Sequence, residues 1–305
     1  MSLCTFTDKN LLNLLARLDS LYNGTDAKND ITIAHIFDYL SAKIRKITIF
    51  TFDMRRLLIF TIFLTLIVSC QSSSGNRVSE SNGVCIVGAS FAYSENGWFE
   101  MACEMSGKEA INRAVSGTNI ITTAMDMYEN RLFTAAEHDS FETFVIMHTH
   151  NVDVCTLHGN NYTVSANMSY AEGFDYVLGR YISECKALEL NPKSKWYGVE
   201  GGKRVDIILC THWHDARTEY NNSVRRLAQR WGSDVRLCEF DTQIGFSKNS
   251  PDSITGEQIS LLYAHDDNGK IEVIDGVEYG WHPKRGRESV IQQRMAKIFA
   301  AYLTE

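Results

Sequence analysis

The sequence predicts an α/β protein, a three-layer α/β/α sandwich around a mainly parallel β-sheet. From residue 84 onward, short apolar runs alternate with segments whose apolar residues recur at helical spacing. The apolar runs are continuous and do not alternate with polar residues, which is typical of parallel strands covered on both faces. A chain of 305 residues that is 44% hydrophobic has enough apolar surface for the core of such a sheet.

The elements follow in order along the chain. The strand candidates are VCIVGAS, the short NRAVSG, FETFVIMHT, RVDIILCT and DVRLCEF. The helix candidates are GWFEMACEMSG, NIITTAMDMYENRLF, YAEGFDYVLGRYISECKALEL, ARTEYNNSVRRLAQRWG and GRESVIQQRMAKIFAAYL. Helix stop signals support these limits, because Gly107 and Gly232 close two of the helical patterns and Asn191-Pro192 follows a third. The stretch between the third strand and Ser169 is predicted to be irregular.

The region before this domain resembles an export signal. MRRLLIFTIFLTLIVSC begins at Met54 with two arginines, continues as an apolar run that is short for a membrane span, and ends at Cys70. Its last residues resemble the bacterial lipobox, in which the cysteine is lipidated. We therefore expect a lipoprotein signal peptide over residues 54–69 and a flexible polar tether over 70–83. The alternatives are an ordinary membrane anchor or a buried helix.

Residues 1–53 precede this signal and are predicted to be an upstream extension from a misassigned start. The alternative is a small helical segment, because NLLNLLARLDSLY has helical apolar spacing. One domain is expected over residues 84–305. The predicted location is the bacterial cell envelope, with a lipid anchor at Cys70 as the membrane contact. Gln71, which is not an aspartate, favours the outer membrane where the organism has one.

Charge and cysteine content exclude several classes of function. The formal net charge is −7, and no stripe of Lys and Arg is present, so no nucleic-acid partner is expected. The eight cysteines form no C-x-x-C pair, which argues against a zinc knuckle or a thioredoxin-type motif. No cofactor and no metal are expected.

Polar or small residues follow the predicted strands, where ligands bind in open α/β sheets. They are Ser90 after the first strand, Gly117 after the second, Asn151 after the third, and His282 just before the last helix. Singly, each residue is typical of a turn or of a helix cap. Together they supply what acyl transfer requires, namely a hydroxyl nucleophile, a base and donors for the developing oxyanion.

This set resembles the SGNH hydrolases, the GDSL family of esterases and lipases. IVGASF is similar to the first block of that family, which implies that Ser90 is the nucleophile. NRAVSGTN and VIMHTHN are similar to the second and third blocks, which implies that Gly117 and Asn151, with the backbone N–H of Ser90, form an oxyanion hole. WHPKRGRESVIQQRMAKIF resembles the last block and implies that His282 is the base. The resemblance covers residues 84 to 303 and implies a flavodoxin-like architecture.

The first and third blocks depart from the family pattern. Ala89 stands where the first block has an aspartate. Thr149 and His150 stand where the third block has glycines, and Val152 replaces its aspartate.

The last block departs in the triad acid. The family commonly has an aspartate three residues before the histidine, and Tyr279 occupies that position here. Glu278 is the sequence's candidate for a carboxylate that orients the imidazole of His282. A Ser-His dyad, or a backbone carbonyl that orients the ring, is the alternative.

Aromatic and histidine side chains cluster near the same predicted edge of the sheet. We expect His150, Trp98, Trp213 and Trp281 to line a substrate cleft. The tryptophan faces could stack on a sugar ring, and ordinary packing is the alternative for them. The sequence therefore predicts a serine esterase that acts on a small-molecule or glycan ester, such as an O-acetyl group on a carbohydrate.

Two alternative functions stay open. One is a carbohydrate-binding protein on the same fold with blunted catalysis, because the acid and the third block depart from the family. The other is a metal-dependent hydrolase that uses His148, His150, His212 and His214, since His-x-His spacing at a strand end can bind zinc.

Overall fold

A computed structural model describes residues 82–93, 96–159, 161–245, 251–265 and 270–304, all of which belong to one unit, Arg77–Glu305. The predicted extension, the signal segment and Cys70 lie outside the described residues. The predictions for those segments therefore stay predictions.

Five parallel strands form the central sheet. They are β1 (Gly83–Gly88), β2 (Glu109–Asn112), β3 (Phe141–Met147), β4 (Ile207–Cys210) and β5 (Val235–Cys238). Their order across the sheet is β2-β1-β3-β4-β5, and every pair is parallel. This is the flavodoxin-like order. β2 lies on one side of β1, and β3 and the later strands are added on the other side, so the order of the strands reverses between β1 and β3. The predicted α/β class is confirmed.

Helices cover both faces of this sheet. In chain order the helices are α1 (Trp98–Met105), α2 (Ile120–Tyr128), α3 (Ala135–His138), α4 (Tyr170–Ala187), α5 (Thr218–Trp231), α6 (Phe240–Gln243), α7 (Ile259–Leu262) and α8 (Val290–Leu303). Two 3₁₀ turns, Leu188–Leu190 and Gly232–Asp234, follow α4 and α5.

Alternate residues of each strand enter two separate cores, as continuous apolar strands require. On β1, Val84 and Ile86 pack into the core that contains α1 and α8. Cys85 and Val87 pack into the core that contains α2, α4 and α5. The three-layer sandwich predicted from the sequence is thus the observed architecture.

Local signals mark the helix ends. α4 begins with a capping box, in which the Ser169 side chain accepts from the N–H of Glu172 and the Glu172 carboxylate accepts from the N–H of Ser169. The Asn119 side chain caps α2 by accepting from Thr122 N–H. α5 ends at Gly232, whose φ of +64° is in the left-handed region that glycine adopts readily. These caps are readable from the sequence.

Three parts of the structure differ from the sequence prediction. The second strand is Glu109–Asn112, so NRAVSG is mostly the loop after it. The helix predicted over NIITTAMDMYENRLF ends at Tyr128, and the short α3 follows. An antiparallel hairpin of β6 (Ile271–Ile274) and β7 (Val277–Gly280) was not predicted.

The hairpin nevertheless has a clear sequence signal. IEVIDGVEYG contains two β-prone runs separated by Asp275-Gly276, and both of these turn residues have positive φ, 53° and 79°. Asp-Gly at the two central positions is the preferred pair for a type I′ turn. Among the described residues, no helix is both long enough and apolar enough to cross a membrane.

Candidate active site

Ser90 and His282 meet at the carboxyl edge of the sheet. Ser90 lies in the turn that follows β1, where Ala92 N–H donates to Ala89 O. Its Oγ is 2.8 Å from Nε2 of His282, a residue 192 positions away in the chain. When the imidazole carries its proton on Nδ1, Nε2 accepts the hydrogen bond from the serine hydroxyl. In that tautomer it can also take the hydroxyl proton.

The segment that bears His282 is anchored on several sides. The His282 carbonyl accepts from His265 N–H at 2.8 Å, and Trp281 N–H donates to Lys270 O at 2.8 Å. The imidazole stacks on Phe91 and on Trp281, with ring centroids 5.0 Å apart in each case. These contacts restrict the orientation of the imidazole.

The Ser90–His282 pair opens into a cleft of about 500 Å³. The lining residues are Ala89, Ser90, Phe91, Ser116, Gly117, Thr118, His150, Arg217, His265, Trp281, His282 and Arg285. A cleft of this size holds a ligand of small-molecule dimensions. The nucleophile candidate and its base candidate are therefore accessible to a substrate.

Two backbone N–H groups are available at this cleft. Gly117 has a φ of +80°, in the left-handed region, although a Cβ at this position would meet no atom within 4 Å. Glycine is thus favoured there by backbone conformation and not by lack of space. Among the described residues, neither Ser90 N–H nor Gly117 N–H donates to any group. Unused donors beside a hydroxyl nucleophile could bind an oxyanion.

Asn151 lies in the loop after β3, and its amide is oriented by helix α5. The Oδ1 atom accepts from Tyr220 N–H, in the first turn of α5, at 3.4 Å. With Oδ1 turned to the helix, the two hydrogens of Nδ2 point elsewhere. Asn151 itself is partly buried and is not among the residues that line the cleft.

Glu278 lies on the exposed face of the hairpin. It is opposite Val273 across the two strands, whereas its neighbours Tyr279 and Gly280 are buried. Strand alternation therefore directs Glu278 away from the face that contacts the domain. Its role as triad acid stays a prediction.

The three tryptophans predicted to line the cleft differ in exposure. Trp281 is 39% exposed and lines the cleft beside His282. Trp98 is 2% exposed and packs against Phe240 and Phe299, and Trp213 is fully buried. The prediction for Trp213 is thus corrected. Trp98 lines a second, small pocket with Ser90 and His282, but an indole that is 2% exposed cannot stack on a sugar ring.

The two buried indoles nevertheless bond to residues that line the cleft. Trp98 Nε1 donates to Phe91 O at 3.0 Å, and Trp213 Nε1 donates to Trp281 O at 2.9 Å. Each thereby fixes the backbone of a cleft-lining aromatic residue.

His148 and His150 are two residues apart and have different environments. His150 lines the cleft, and burial together with Arg217 lowers its pKa. His148 is fully buried, with Nε2 2.9 Å from the Thr123 hydroxyl. Burial, with a smaller contribution from His150, lowers the pKa of His148 to about 3, so this ring is neutral at physiological pH.

His212 and His214 lie behind the cleft with Glu272 of β6. Among the described residues, these three form the group whose ligand atoms lie close enough to hold a metal ion, all within 4.8 Å of one another. Burial, together with the neighbouring His214 and Arg217, lowers the pKa of His212 well below its usual value. His148 and His150 are not part of this group.

His214 and Glu272 are hydrogen-bonded without an ion, whereas Nε2 of His212 is buried and has no hydrogen-bond partner among the described residues. His214 Nδ1 accepts from Ala216 N–H at 3.2 Å, which places the imidazole proton on Nε2. That Nε2–H is 3.0 Å from both Glu272 Oε1 and Gly280 O. The Arg217 guanidinium donates to both Glu272 oxygens, from Nε to Oε1 at 3.2 Å and from Nη2 to Oε2 at 2.8 Å, and its positive charge disfavours another cation beside them.

Arg217 and Glu272 are the site residues that sequence reasoning missed. Recognition of the Asp-Gly hairpin would have placed Glu272 opposite Tyr279 on the inward face, since the two are register partners. A carboxylate on an inward face requires a cationic partner, and Arg217 at the start of α5 supplies it. Nothing in the local sequence connects the two residues.

Residues 82–304 match the family described as "Domain of unknown function (DUF5040)". The chain belongs to this family. No curated protein matches the chain.

Three solved structures are among those similar to this chain. One is a carbohydrate esterase family 2 enzyme with a carbohydrate-binding domain from Corynascus thermopiles (Myceliophthora fergusii), with 13% identity and a TM-score of 0.43 over 74% of this chain and 66% of that chain. Another, described as a lipolytic protein of the G-D-S-L family, is from Desulfitobacterium hafniense DCB-2. It has 10% identity and a TM-score of 0.38, and the match covers 72% of this chain and 98% of that chain. The third is TesA, with 12% identity and a TM-score of 0.38. The match covers 72% of this chain and 97% of that chain.

This chain spans about two thirds of the length of the Corynascus enzyme, at 66%. No residue role follows from similarities of this size.

Proposed function

We propose that this protein is a serine ester hydrolase of the SGNH type. The observation that supports this most directly is the 2.8 Å contact between Ser90 Oγ and His282 Nε2 at an open cleft. Buried polar pairs in a core are common, but a hydroxyl on an accessible imidazole nitrogen is the arrangement that activates a serine.

The reaction begins with attack of the Ser90 hydroxyl on the ester carbonyl while His282 Nε2 takes the hydroxyl proton. The tetrahedral oxyanion accepts hydrogen bonds from the N–H groups of Ser90 and Gly117 and from the Asn151 amide. His282 then gives its proton to the departing alcohol, which leaves an acyl group on Ser90. Water activated by His282 releases the acid and regenerates the serine.

The substrate is an ester such as an O-acetyl group on a carbohydrate. Trp281 supports this substrate class, because it presents an exposed aromatic face beside His282 on which the apolar face of a sugar ring can stack.

The protein is exported and held to the cell envelope by a lipid on Cys70. The sequence MRRLLIFTIFLTLIVSC supports this location, since it combines a charged start, an apolar run and a terminal cysteine. Expression with labelled palmitate tests it: label should enter the wild-type protein and be absent from Cys70→Ala. Equal labelling of both would contradict the anchor.

The reaction is tested with p-nitrophenyl acetate and with acetylated oligosaccharides. Ser90→Ala should lower turnover by about a thousandfold or more, because the nucleophile is removed. Ser116→Ala is the matched control, since Ser116 lines the same cleft and makes no described contact with a histidine. That variant should keep nearly full activity.

A fluorophosphonate probe gives an independent reading. The probe should label the wild-type protein and Ser116→Ala, and leave Ser90→Ala unlabelled. A wild-type protein that is inert to the probe and to every ester, yet binds glycans, would replace this proposal with a binding function.

A further inference from the structure

Two buried charged residues connect the separate segments that build the cleft. We infer that Arg217 and Glu272 are a positioning pair that holds His282 against Ser90 and fixes the loop that bears Asn151. This inference rests on the proposed hydrolase function. Neither residue belongs to the four motif blocks in the sequence.

Glu272 holds the hairpin that leads to His282. Its carboxylate forms a two-pronged ion pair with Arg217, in which Nε donates to Oε1 at 3.2 Å and Nη2 donates to Oε2 at 2.8 Å. It also accepts from His214 Nε2–H, and the same N–H reaches the carbonyl of Gly280, the last residue of β7. His282 is two residues beyond Gly280, so a shift of the hairpin displaces the imidazole.

Arg217 contacts two other segments that build the cleft, the loop that bears Asn151 and the turn that bears Ser90. Its Nη1 donates to the carbonyl of Thr149, two residues before Asn151. Its guanidinium lies over the Phe91 ring, with Cζ 5.0 Å from the ring centroid. Phe91 follows Ser90 directly and stacks on the imidazole of His282. Arg217 thus contacts the loop after β3 and the turn after β1.

The pair is buried, which makes these contacts rigid. The side chains of Arg217 and Glu272 are 7% and 14% exposed. Burial opposes ionisation of Glu272, but its hydrogen bond with His214 and the charge of Arg217 outweigh it and hold the pKa of the carboxyl below its usual range. Both groups are therefore charged at neutral pH, and two charges of low exposure keep a single relative geometry.

In this inference Ser90 and His282 carry out the reaction, and Arg217 and Glu272 align them. Ser90 and His282 approach from elements far apart in the chain, and their 2.8 Å contact requires that three segments keep their places. A misplacement of about 1 Å in an active site can lower the rate about a hundredfold. Loss of the pair should therefore lower kcat and leave ground-state binding nearly unchanged.

The test replaces both charges with apolar residues of similar volume, Arg217→Met with Glu272→Met. Such replacement of a buried ion pair is often neutral for stability, so the variant should fold. We expect kcat for p-nitrophenyl acetate to fall about 10- to 100-fold, with KM within about twofold of wild type. The rate of fluorophosphonate labelling of Ser90 should fall in parallel.

The matched control is Arg225→Met with Asp241→Met. Arg225 lies on α5, the helix that begins just after Arg217, and its Nη2 donates to both oxygens of the buried Asp241. The hydrogen bonds of the two side chains reach no cleft-lining residue. This control removes an ion pair from that helix, one in which Arg225 is more exposed than Arg217 and also contacts Glu239, and it should keep the wild-type kcat.

Arg217→Lys is the second variant, used if the double replacement does not fold. Lysine keeps a charge beside Glu272 but cannot bind both the carboxylate and the Thr149 carbonyl in the planar geometry of arginine. An intermediate loss of kcat is expected, and wild-type kcat in this variant would overturn the inference. So would a folded double variant with unchanged kcat, or one in which only KM rises, because the latter indicates direct substrate binding by Arg217.

A crystal structure of the double variant provides a reading that needs no activity. The separation between Ser90 Oγ and His282 Nε2 should exceed hydrogen-bond distance, and an unchanged 2.8 Å would overturn the inference. This measurement separates the two proposals: an inert wild-type protein contradicts the hydrolase function, whereas the separation still reports on positioning.

Discussion

Histidines occur in two regions of the same sheet edge, and the regions differ in what surrounds the rings. At the cleft, His282 contacts a serine hydroxyl and the partly buried His150 is among the lining residues. Behind it, His148, His212 and His214 are buried and hydrogen-bonded within the protein. The comparison shows that a histidine's position after a strand does not decide whether its ring can act as a base. Access to the cleft and a nucleophile within hydrogen-bond reach decide it.

The largest expected difference between the two regions is in catalysis. His282→Ala should lower turnover of p-nitrophenyl acetate by about a thousandfold or more, because His282 is the imidazole bonded to the Ser90 hydroxyl and the proposed acceptor of its proton. His158→Ala, at an exposed histidine outside the cleft, should retain wild-type turnover. Near-wild-type kcat in His282→Ala would place the base elsewhere.

Stability should respond most strongly in the buried region. Glu272→Gln leaves the Arg217 charge buried without its counter-charge, which should lower the free energy of unfolding by about 3–5 kcal/mol. Glu278→Gln makes the same change on the exposed face of the same hairpin and should alter it by less than about 0.5 kcal/mol. Urea unfolding of both variants makes the measurement. Equal effects would show that burial of the pair does not matter.

The buried region should also make stability depend on pH. The pKa of His148 is lowered to about 3 in the folded state, so between its ordinary value near 6.5 and 3 the unfolded chain binds the extra proton. Stability from this residue is therefore complete above pH 6.5 and is lost as the pH falls towards 3, by at most about 1.4 kcal/mol per pH unit. Glu272, whose pKa is also lowered, acts in the same direction below pH 4.5.

Urea unfolding at a series of pH values measures this slope. His148→Gln, which keeps a hydrogen-bonding group for Thr123, should have a shallower slope between pH 6.5 and 3. An identical slope in the variant would contradict the neutral buried ring.

A smaller effect is expected at the rim of the cleft. Trp281→Ala should raise KM for acetylated oligosaccharides about two- to tenfold, the range expected for loss of one aromatic contact. Turnover of p-nitrophenyl acetate, which has no sugar, should change little. Tyr197→Ala, at an exposed aromatic residue outside the cleft, is the control. A KM that is equal in both variants would remove Trp281 from substrate binding.

The smallest expected effect on activity is that of Glu278→Gln. An exposed carboxylate is screened by water and orients a neighbouring ring weakly, so kcat should stay within about twofold of wild type. The sequence also has Asp266 and Asp267 directly after His265, whose N–H donates to the His282 carbonyl. The kcat of Asp266→Asn and of Asp267→Asn should therefore be measured in the same assay as that of Glu278→Gln. A loss in Glu278→Gln as large as that in His282→Ala would identify Glu278 as the acid.

Much of the fold was predictable because its signals are local. Continuous apolar runs predicted β1, β3, β4 and β5, and helical spacing with caps predicted the main helices. The hairpin was missed although its Asp275-Gly276 turn is a local signal. The short β2 was displaced because its four residues are only partly buried and lack a strong apolar pattern.

The sequence by itself determined the order of strands and helices along the chain and the placement of Ser90, Gly117 and Asn151 just after successive strands. Backbone periodicity and capping depend on neighbours within a few residues, so they can be read without a structure. The tertiary structure alone decided that Trp98 and Trp213 are buried while Trp281 is exposed, and that Arg217 meets Glu272. Burial and long-range ion pairs depend on how separate elements pack, and that packing joins residues whose local sequences are independent of each other.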